Sequence, residues 1–370
     1  MEHKVGLFGV GFDPLPSNQA LLIKHAYMQA LVLGKIAPTD LKDPYAFFSN
    51  NLPQTVSGKF DLIGRVSIPT WLQSKPRAND SFELTLESLI SFMKTGGCLS
   101  IADKVRDFIV EEVFPRIPGM IGVDHSSTYG AISALKQDEE EDIGLVVIDS
   151  HFDAVPMALR YGLIEYAKKT DSIAIPPDLL SNEAYPNLSS SEIKKWGKLN
   201  PENFLLHILE QKLIDPKNLI VLGISDYPPD AYAESNDPQV RDYLNYFRSL
   251  EEQGVSFISK SSIDANGMRG LEEALQNLNA RRLYISLDID IGSLSSVYAC
   301  RFLSNIGLSI DKIEDMFQTL FSSFSNGKEL AGFDIMEIDI HKLGISIDDS
   351  HIDRTIEICR SFLELVGRVV

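Results

Sequence analysis

Cysteine is scarce in this chain. The 370 residues hold three, Cys98, Cys300 and Cys359, widely separated and without CxxC spacing, which excludes a disulfide framework and a zinc–cysteine site. Positive charge is also short: 34 Lys and Arg stand against 52 Asp and Glu, a formal net charge of −18. That balance speaks against nucleic acid or an anionic membrane as a partner. Long apolar runs are missing too. None approaches the length that spans a bilayer, and the opening MEHKVGLFGVGFD lacks a basic region leading into a signal-peptide core. The expectation is a cytoplasmic protein. No internal repeat or low-complexity segment is present.

What is there reads as a folded α/β protein, with 44% hydrophobic and 23% charged residues. Short apolar runs at Lys4–Phe8, Leu145–Asp149, Asn218–Ile224, Val255–Ile258, Arg282–Asp290 and Gly332–Ile340 have the character of strands. Helical periodicity marks Phe82–Met93, Ile101–Phe114, Gly270–Leu278, Ile310–Phe324 and Ile352–Val369. Strands alternating with helices predict a central, mainly parallel sheet between two helical layers. Two stretches fit that alternation poorly: residues 36–80 and 154–202, both rich in turn formers. Segments of that kind are often functional loops, and the second leaves directly from the motif described next. No clean linker divides the chain, so one domain over 1–370 with loop insertions is the simplest organisation. The acidic run Asp138–Asp142 reads as a solvated loop.

IDSHFD, residues 148–153, places Asp149, His151 and Asp153 at alternate positions after an apolar run. If the strand continues, all three side chains share one face. A polar turn at a strand end is the alternative. YISLDIDIG, residues 284–292, repeats the pattern, with Tyr284, Ser286, Asp288 and Asp290 on one face and four apolar residues on the other. Two neighbouring strand carboxylates repel each other unless they are solvated, share a proton or meet a cation. A third element, GVDHSSTYGAISAL at 122–135, is a turn holding His125 followed by a helix of small residues.

These three segments, in this order, resemble the ureohydrolase (arginase, agmatinase, formiminoglutamase) family, whose GGDH, DAHxD and SxDxD motifs read here GVDH, DSHFD and SLDID. A fourth, GFDIMEIDIHK at 332–342, resembles the family's later segment, whose glutamate contacts the substrate's guanidinium. The likeness covers roughly residues 119–370, leaving about 1–118 as a divergent N-terminal part. It implies an arginase-like fold and a binuclear centre of two Mn2+ per chain, with ligands His125, Asp149, His151, Asp153, Asp288 and Asp290. One ion would take His125 and Asp153 and the other His151 and Asp290, with Asp149 and Asp288 bridging. Four carboxylates and two imidazoles form a hard donor set that suits Mn2+.

By the same resemblance, a metal-bridging hydroxide oriented by Asp153 attacks the central carbon of a guanidino or amidino (formimino) group. Glu337 pairs with the cationic small-molecule substrate; an ion-paired glutamate is its bland alternative. His207, the one later histidine before the next strand, is the candidate proton shuttle, although a helix histidine packed between Leu206 and Ile208 reads equally well. The family also implies a homo-oligomer, a trimer or hexamer. Two other functions keep the fold: amide hydrolysis, as in the related deacetylases, and a non-catalytic metal-binding protein. The family's Asp–Pro turn after SxDxD is replaced here by Gly292–Arg301, which points to an unassigned substrate. In that loop Arg301 and Tyr298 are candidates for a substrate carboxylate or ring, Arg301 being otherwise solvated, and Cys300 reads as an incidental small residue.

Overall fold

The computed structural model describes residues 4–37, 41–137, 142–170, 197–303, 307–345 and 352–370. Strands form where apolar runs are bounded by turns: β1 (Val5–Val10), β2 (Phe60–Arg65), β3 (Ile117–Gly122), β4 (Ile143–Ile148), β5 (Leu219–Leu222), β6 (Ser256–Ile258), β7 (Arg282–Asp288) and β8 (Glu329–Met336). They build one sheet in the order β2-β1-β3-β8-β7-β4-β5-β6. Every pairing is parallel, so the sheet is wholly rather than mainly so.

Both faces are covered, which is why the central strands read as near-continuous apolar runs. In β4, Leu145 and Val147 join a core shared with the helices Leu86–Lys94, Gly97–Phe108, Ser127–Leu135 and Pro238–Glu252. Val146 and Ile148 join the opposite core, shared with Pro44–Asn50, Arg269–Asn277, Ile310–Ser325 and Thr355–Val369. Each such side chain contributes roughly 1.5–3 kcal/mol by burial. A strand held from both sides presents its last residue on a rigid stem. The small residues after His125 also have a packing reason: a Cβ on Gly130 would lie 2.2 Å from the carbonyl oxygen of Ala102, so only glycine lets Ser127–Leu135 approach Gly97–Phe108 that closely.

Some expectations need correction. Residues 36–80 are not wholly irregular. They hold the helix Pro44–Asn50, capped by Asp43 Oδ1 accepting from Ala46 N at 2.8 Å, and the edge strand β2. The helices Asn18–Val32 and Pro238–Glu252 and the strand β3 also stand where the sequence suggested no element. Of the 154–202 segment, Met157–Thr170 is helical, and the chain is described again from residue 197; residues 171–196 lie outside the described residues, as do His3, His351 and residues 138–141 of the acidic run. Among the described residues no helix is long and apolar enough to cross a membrane.

Candidate metal centre

β3, β8, β7 and β4 lie side by side in the middle of the sheet. The candidate ligands sit at or just beyond their carboxyl ends, where ligands gather in open parallel sheets. The way Asp149, His151 and Asp153 converge differs from the expected alternation. β4 ends at Ile148, and residues 149–156 turn instead of continuing extended. Asp149 Oδ1 accepts from His151 N at 2.6 Å, folding the two side chains together. Phe152 points away into an aromatic group with Phe247 and Phe257 at centroid distances of 5.2 and 4.8 Å. β7 likewise stops at Asp288, whose Oδ1 caps the following turn by accepting from Asp290 N at 2.8 Å. Asp290 is therefore placed by a turn and not by the pleat.

His125 is fully buried, its Nδ1 3.1 Å from Asp288 Oδ2, 3.4 Å from Asp149 Oδ2 and 3.8 Å from Asp153 Oδ2. Across the cluster, His151 Nδ1 lies 2.7 Å from Asp290 Oδ2 and 3.7 Å from Asp149 Oδ1. Two groups have ligand atoms within 4.8 Å of one another: His125, Asp149 and Asp288, and Asp149, His151 and Asp290. Asp149 belongs to both.

The tautomer of His125 follows from its other nitrogen. Ser286 Oγ donates to Asp334 Oδ1 at 2.7 Å, so at 2.8 Å from His125 Nε2 it must accept. Nε2 thus carries a proton and Nδ1 is directed at the carboxylates. Asp334 is fixed in turn by Thr128 Oγ1 and Tyr284 OH, each donating at 2.8 Å. Sequence alternation had put Ser286 and Tyr284 on the ligand face, but nothing local pointed to Asp334. Phe204 covers the His125 ring at 4.2 Å between centroids.

The charges are crowded. Burial, then Asp290 and Asp149, push the Asp288 carboxyl well above the usual range. Burial and then Asp149 do the same to Asp153 and raise Asp290. Burial opposes a charged His125, yet Asp149 and Asp288 outweigh it and carry its pKa well above the ordinary value. Only Asp149 is held low; burial works against it, but the two histidines prevail. Four buried carboxylates thus face two histidines and, 3.8 Å from Asp153, the Arg160 guanidinium.

Glu337 follows β8 directly and is 4% exposed. Its φ of +62° lies in the left-handed region, strain of about 1–3 kcal/mol for such a residue. Its N–H donates to Val123 O at 3.1 Å and its carbonyl accepts from Arg301 N at 2.9 Å, so the turn holding His125 and the loop after β7 both hold it. Cys300 is buried with Asp288 and Glu337 in a third close group. Burial and those carboxylates keep its thiol protonated, in keeping with a packing role.

Two residues depart from expectation. Arg301, its side chain 10% exposed, is ion-paired with Asp13 instead of solvated. Tyr298 is buried as well, its hydroxyl donating to Leu294 O at 3.2 Å. His207 lies in the helix Phe204–Glu210, one turn from Phe204, with its ring edge-on to Tyr129 at 6.4 Å. Burial lowers its pKa, and the other influences on it come from Glu210, Gly197 and Lys198 rather than from the aspartates. No motif marks Arg160, which is 2% exposed and lies behind Asp153. Its Nη2 is 3.8 Å from both Asp153 and Asp226, and its Nη1 is 3.7 Å from Glu202.

The arginase family model matches residues 90–341, well over half of the chain. The chain belongs to the arginase family. No curated protein matches it in sequence. Among solved structures, the proclavaminate amidino hydrolase of Streptomyces clavuligerus superposes with a TM-score of 0.55 at 16% identity, covering 100% of this chain and 93% of its own. The formimidoylglutamase of Bacillus subtilis gives 0.54 at 14%, covering 100% and 88%. A hypothetical agmatinase from Burkholderia thailandensis gives 0.51 at 16%, covering 99% and 86%. At such identities the likeness is one of fold. It extends through the N-terminal part, which the sequence had left as divergent. Among the described residues, the two carboxylate–imidazole clusters above are groups that could hold a metal.

Proposed function

We propose that this chain is a hydrolase of a carbon–nitrogen bond in a guanidino or amidino compound, working with two manganese ions. The observation that carries this reading is the convergence of His125, Asp149 and Asp288, and of Asp149, His151 and Asp290, with the buried His125 Nδ1 and Asp149 Oδ2 lacking a hydrogen-bond partner. Such atoms are costly to bury unless something else binds them. Hard oxygen and imidazole donors suit a divalent ion of the manganese type.

His125, Asp149, His151, Asp153, Asp288 and Asp290 would hold the pair, with Asp149 shared. Bound there, the ions would act as Lewis acids and lower the pKa of a water to near neutrality. Glu337 would pair with the amidinium head of the substrate, a charge-assisted contact in a buried setting. Asp153 would accept a hydrogen bond from the attacking water and aim it at the central carbon. The water's oxygen bonds to that carbon, a proton passes to the departing nitrogen, and the C–N bond breaks to release an amine. His207 is the expected carrier of that proton.

The test is amine, urea and ammonia release from a panel of guanidino and formimino compounds. Manganese-loaded protein would be run beside Asp153→Asn and His207→Asn, with bound metal counted in each. Turnover that disappears in Asp153→Asn with metal still bound supports the reading. Two ions per chain without turnover of any amidine would sink it and favour amide hydrolysis; no bound metal would favour a non-catalytic role. A His207→Asn variant that loses nothing removes His207 from the reaction.

A further inference from the structure

Residues 299–301 run antiparallel to residues 337–339. Arg301 N donates to Glu337 O and Asp339 N to Ala299 O, both at 2.9 Å, and Cys300 bridges to Ile338. That pairing pins Cys300 beside Glu337, while the end of β7, paired with β8, brings Asp288 to the same place. A sulfur and two carboxylate oxygens thus lie within 4.8 Å of one another, on three buried side chains.

Glu337 is the member of this group that points to a ligand. It is 4% exposed, and among the described residues its carboxylate has neither a hydrogen bond nor an ion pair. Arg301 acts on it through the field, but the guanidinium itself is paired with Asp13. A buried carboxylate left without a partner is costly. A thiolate with two carboxylates is a zinc-type donor set, softer than the carboxylate–imidazole clusters beside it. Zinc bonds of about 2.0–2.3 Å fit the spacing after a small inward shift of the side chains. The Phe302 N–H is directed at the sulfur, where it favours a thiolate. An arriving ion takes the place of the thiol proton, which leaves to solvent. A cavity of about 10 Å³ borders Glu337, with room for roughly one water or one bare ion.

We propose that Asp288, Cys300 and Glu337 form a third cation site, which takes a thiophilic divalent ion of the zinc type and, when filled, blocks the carboxylate that would receive an amidinium. The blocking half rests on the hydrolase reading above; the site itself does not. Manganese would then open the centre and zinc close it, with the Cys300 sulfur telling the two apart.

The probe is Cd2+, which binds thiolates as zinc does and adds a sulfur-to-metal charge-transfer band in the ultraviolet. It is titrated into the manganese-loaded full chain and into Cys300→Ser and Cys98→Ser, with bound manganese and cadmium counted in each. The wild type and Cys98→Ser should take up cadmium with the band and keep their manganese. Cys300→Ser should lose the band and bind cadmium about a hundredfold more weakly, with its manganese affinity unchanged. If Cys300→Ser does not fold, Glu337→Gln keeps the thiol and should weaken cadmium about tenfold with the band retained. No band in the wild type, a band that survives in Cys300→Ser, or cadmium that only displaces manganese overturns the proposal. On any amidine the wild type hydrolyses, cadmium should compete with substrate and Cys300→Ser should resist it; equal inhibition of both overturns the blocking role. Cadmium held by Cys300 in a chain that hydrolyses no amidine upholds the site and counts against the hydrolase reading alone.

Discussion

Two kinds of buried charge meet at the carboxyl end of this sheet, and they behave differently. Around Arg160 and around Asp13, acids and bases answer one another within the chain: Arg160 stands among Asp153, Asp226 and Glu202, and Asp13 between Lys24 and Arg301. In the cluster of Asp149, Asp153, Asp288 and Asp290 the acids crowd each other, and burial with the neighbouring carboxylates pushes Asp153, Asp288 and Asp290 above the usual carboxylate range. The first kind is framework. The second is incomplete as a piece of protein, and burial alone does not distinguish the two. What does is whether the chain supplies the opposite charge.

That distinction makes measurable claims. The largest effect should come from the paired region: Arg160→Met leaves its acid neighbours uncompensated and should cost about 3–5 kcal/mol in chemical denaturation, with or without metal. In the donor cluster the same type of change should spare the fold. Asp288→Asn keeps the shape and the acceptor for Asp290 N while removing one crowded charge. The metal-free variant should be as stable as the wild type or more so, while manganese affinity falls about a hundredfold or more in calorimetry. A melting point well below that of the wild type in metal-free Asp288→Asn would erase the contrast.

Acidity probes the same point. Asp153, Asp288, Asp290 and Glu337 have raised folded pKa values, so the folded chain holds more protons than the unfolded one above the ordinary carboxylate value of about 4. Where the native state binds the extra protons, stability falls as pH rises. His125, also raised, acts in the same direction once pH passes its ordinary value. The metal-free chain should therefore be more stable near pH 5 than near pH 8, and saturating manganese should flatten or reverse that slope. The smallest effect belongs to the support of one ligand. Ser286→Ala removes the acceptor of His125 Nε2 and should weaken manganese binding by about ten- to a hundredfold without unfolding the chain.

Much of this was legible in the sequence, for identifiable reasons. β4 is apolar on both faces, and β7 and β8 each have one apolar face, so all three announce themselves. The polar residues that follow β4 and close β7 stand out against those apolar runs. What stayed hidden depends on partners far along the chain. β3 reads as a poor strand because Gly119 and Gly122 lower its propensity, yet a Cβ on Gly119 would meet the Phe333 ring at 2.6 Å and one on Gly122 would meet Met336 at 2.7 Å. The helix Pro238–Glu252 was missed although Asp237 caps it and Val240, Tyr243, Phe247 and Leu250 mark its buried face; its many charges diluted the apolar signal. Nothing in the residues around Lys24 marks it as buried; its partner Asp13 lies eleven residues earlier, before the helix that carries it. The alternation rule put Asp149 with His151 and Asp288 with Asp290, but turns and not extended backbone bring these side chains together.

The sheet order has a consequence for how the centre comes into being. β3, which leads to His125, and β4, which leads to Asp149, are separated in the finished sheet by β8 and β7, two of the last strands to leave the ribosome. His125 meets Ser286 across 161 residues, and Thr128 meets Asp334 across 206. The early half of the donor set therefore has no neighbour to complete it while the chain is still being made. A nascent or truncated chain ending before β7 would hold His125, Asp149, His151 and Asp153 yet lack the wedge that sets their spacing. The contacts that set the spacing of the cluster can therefore form only after β7 and β8 have been made.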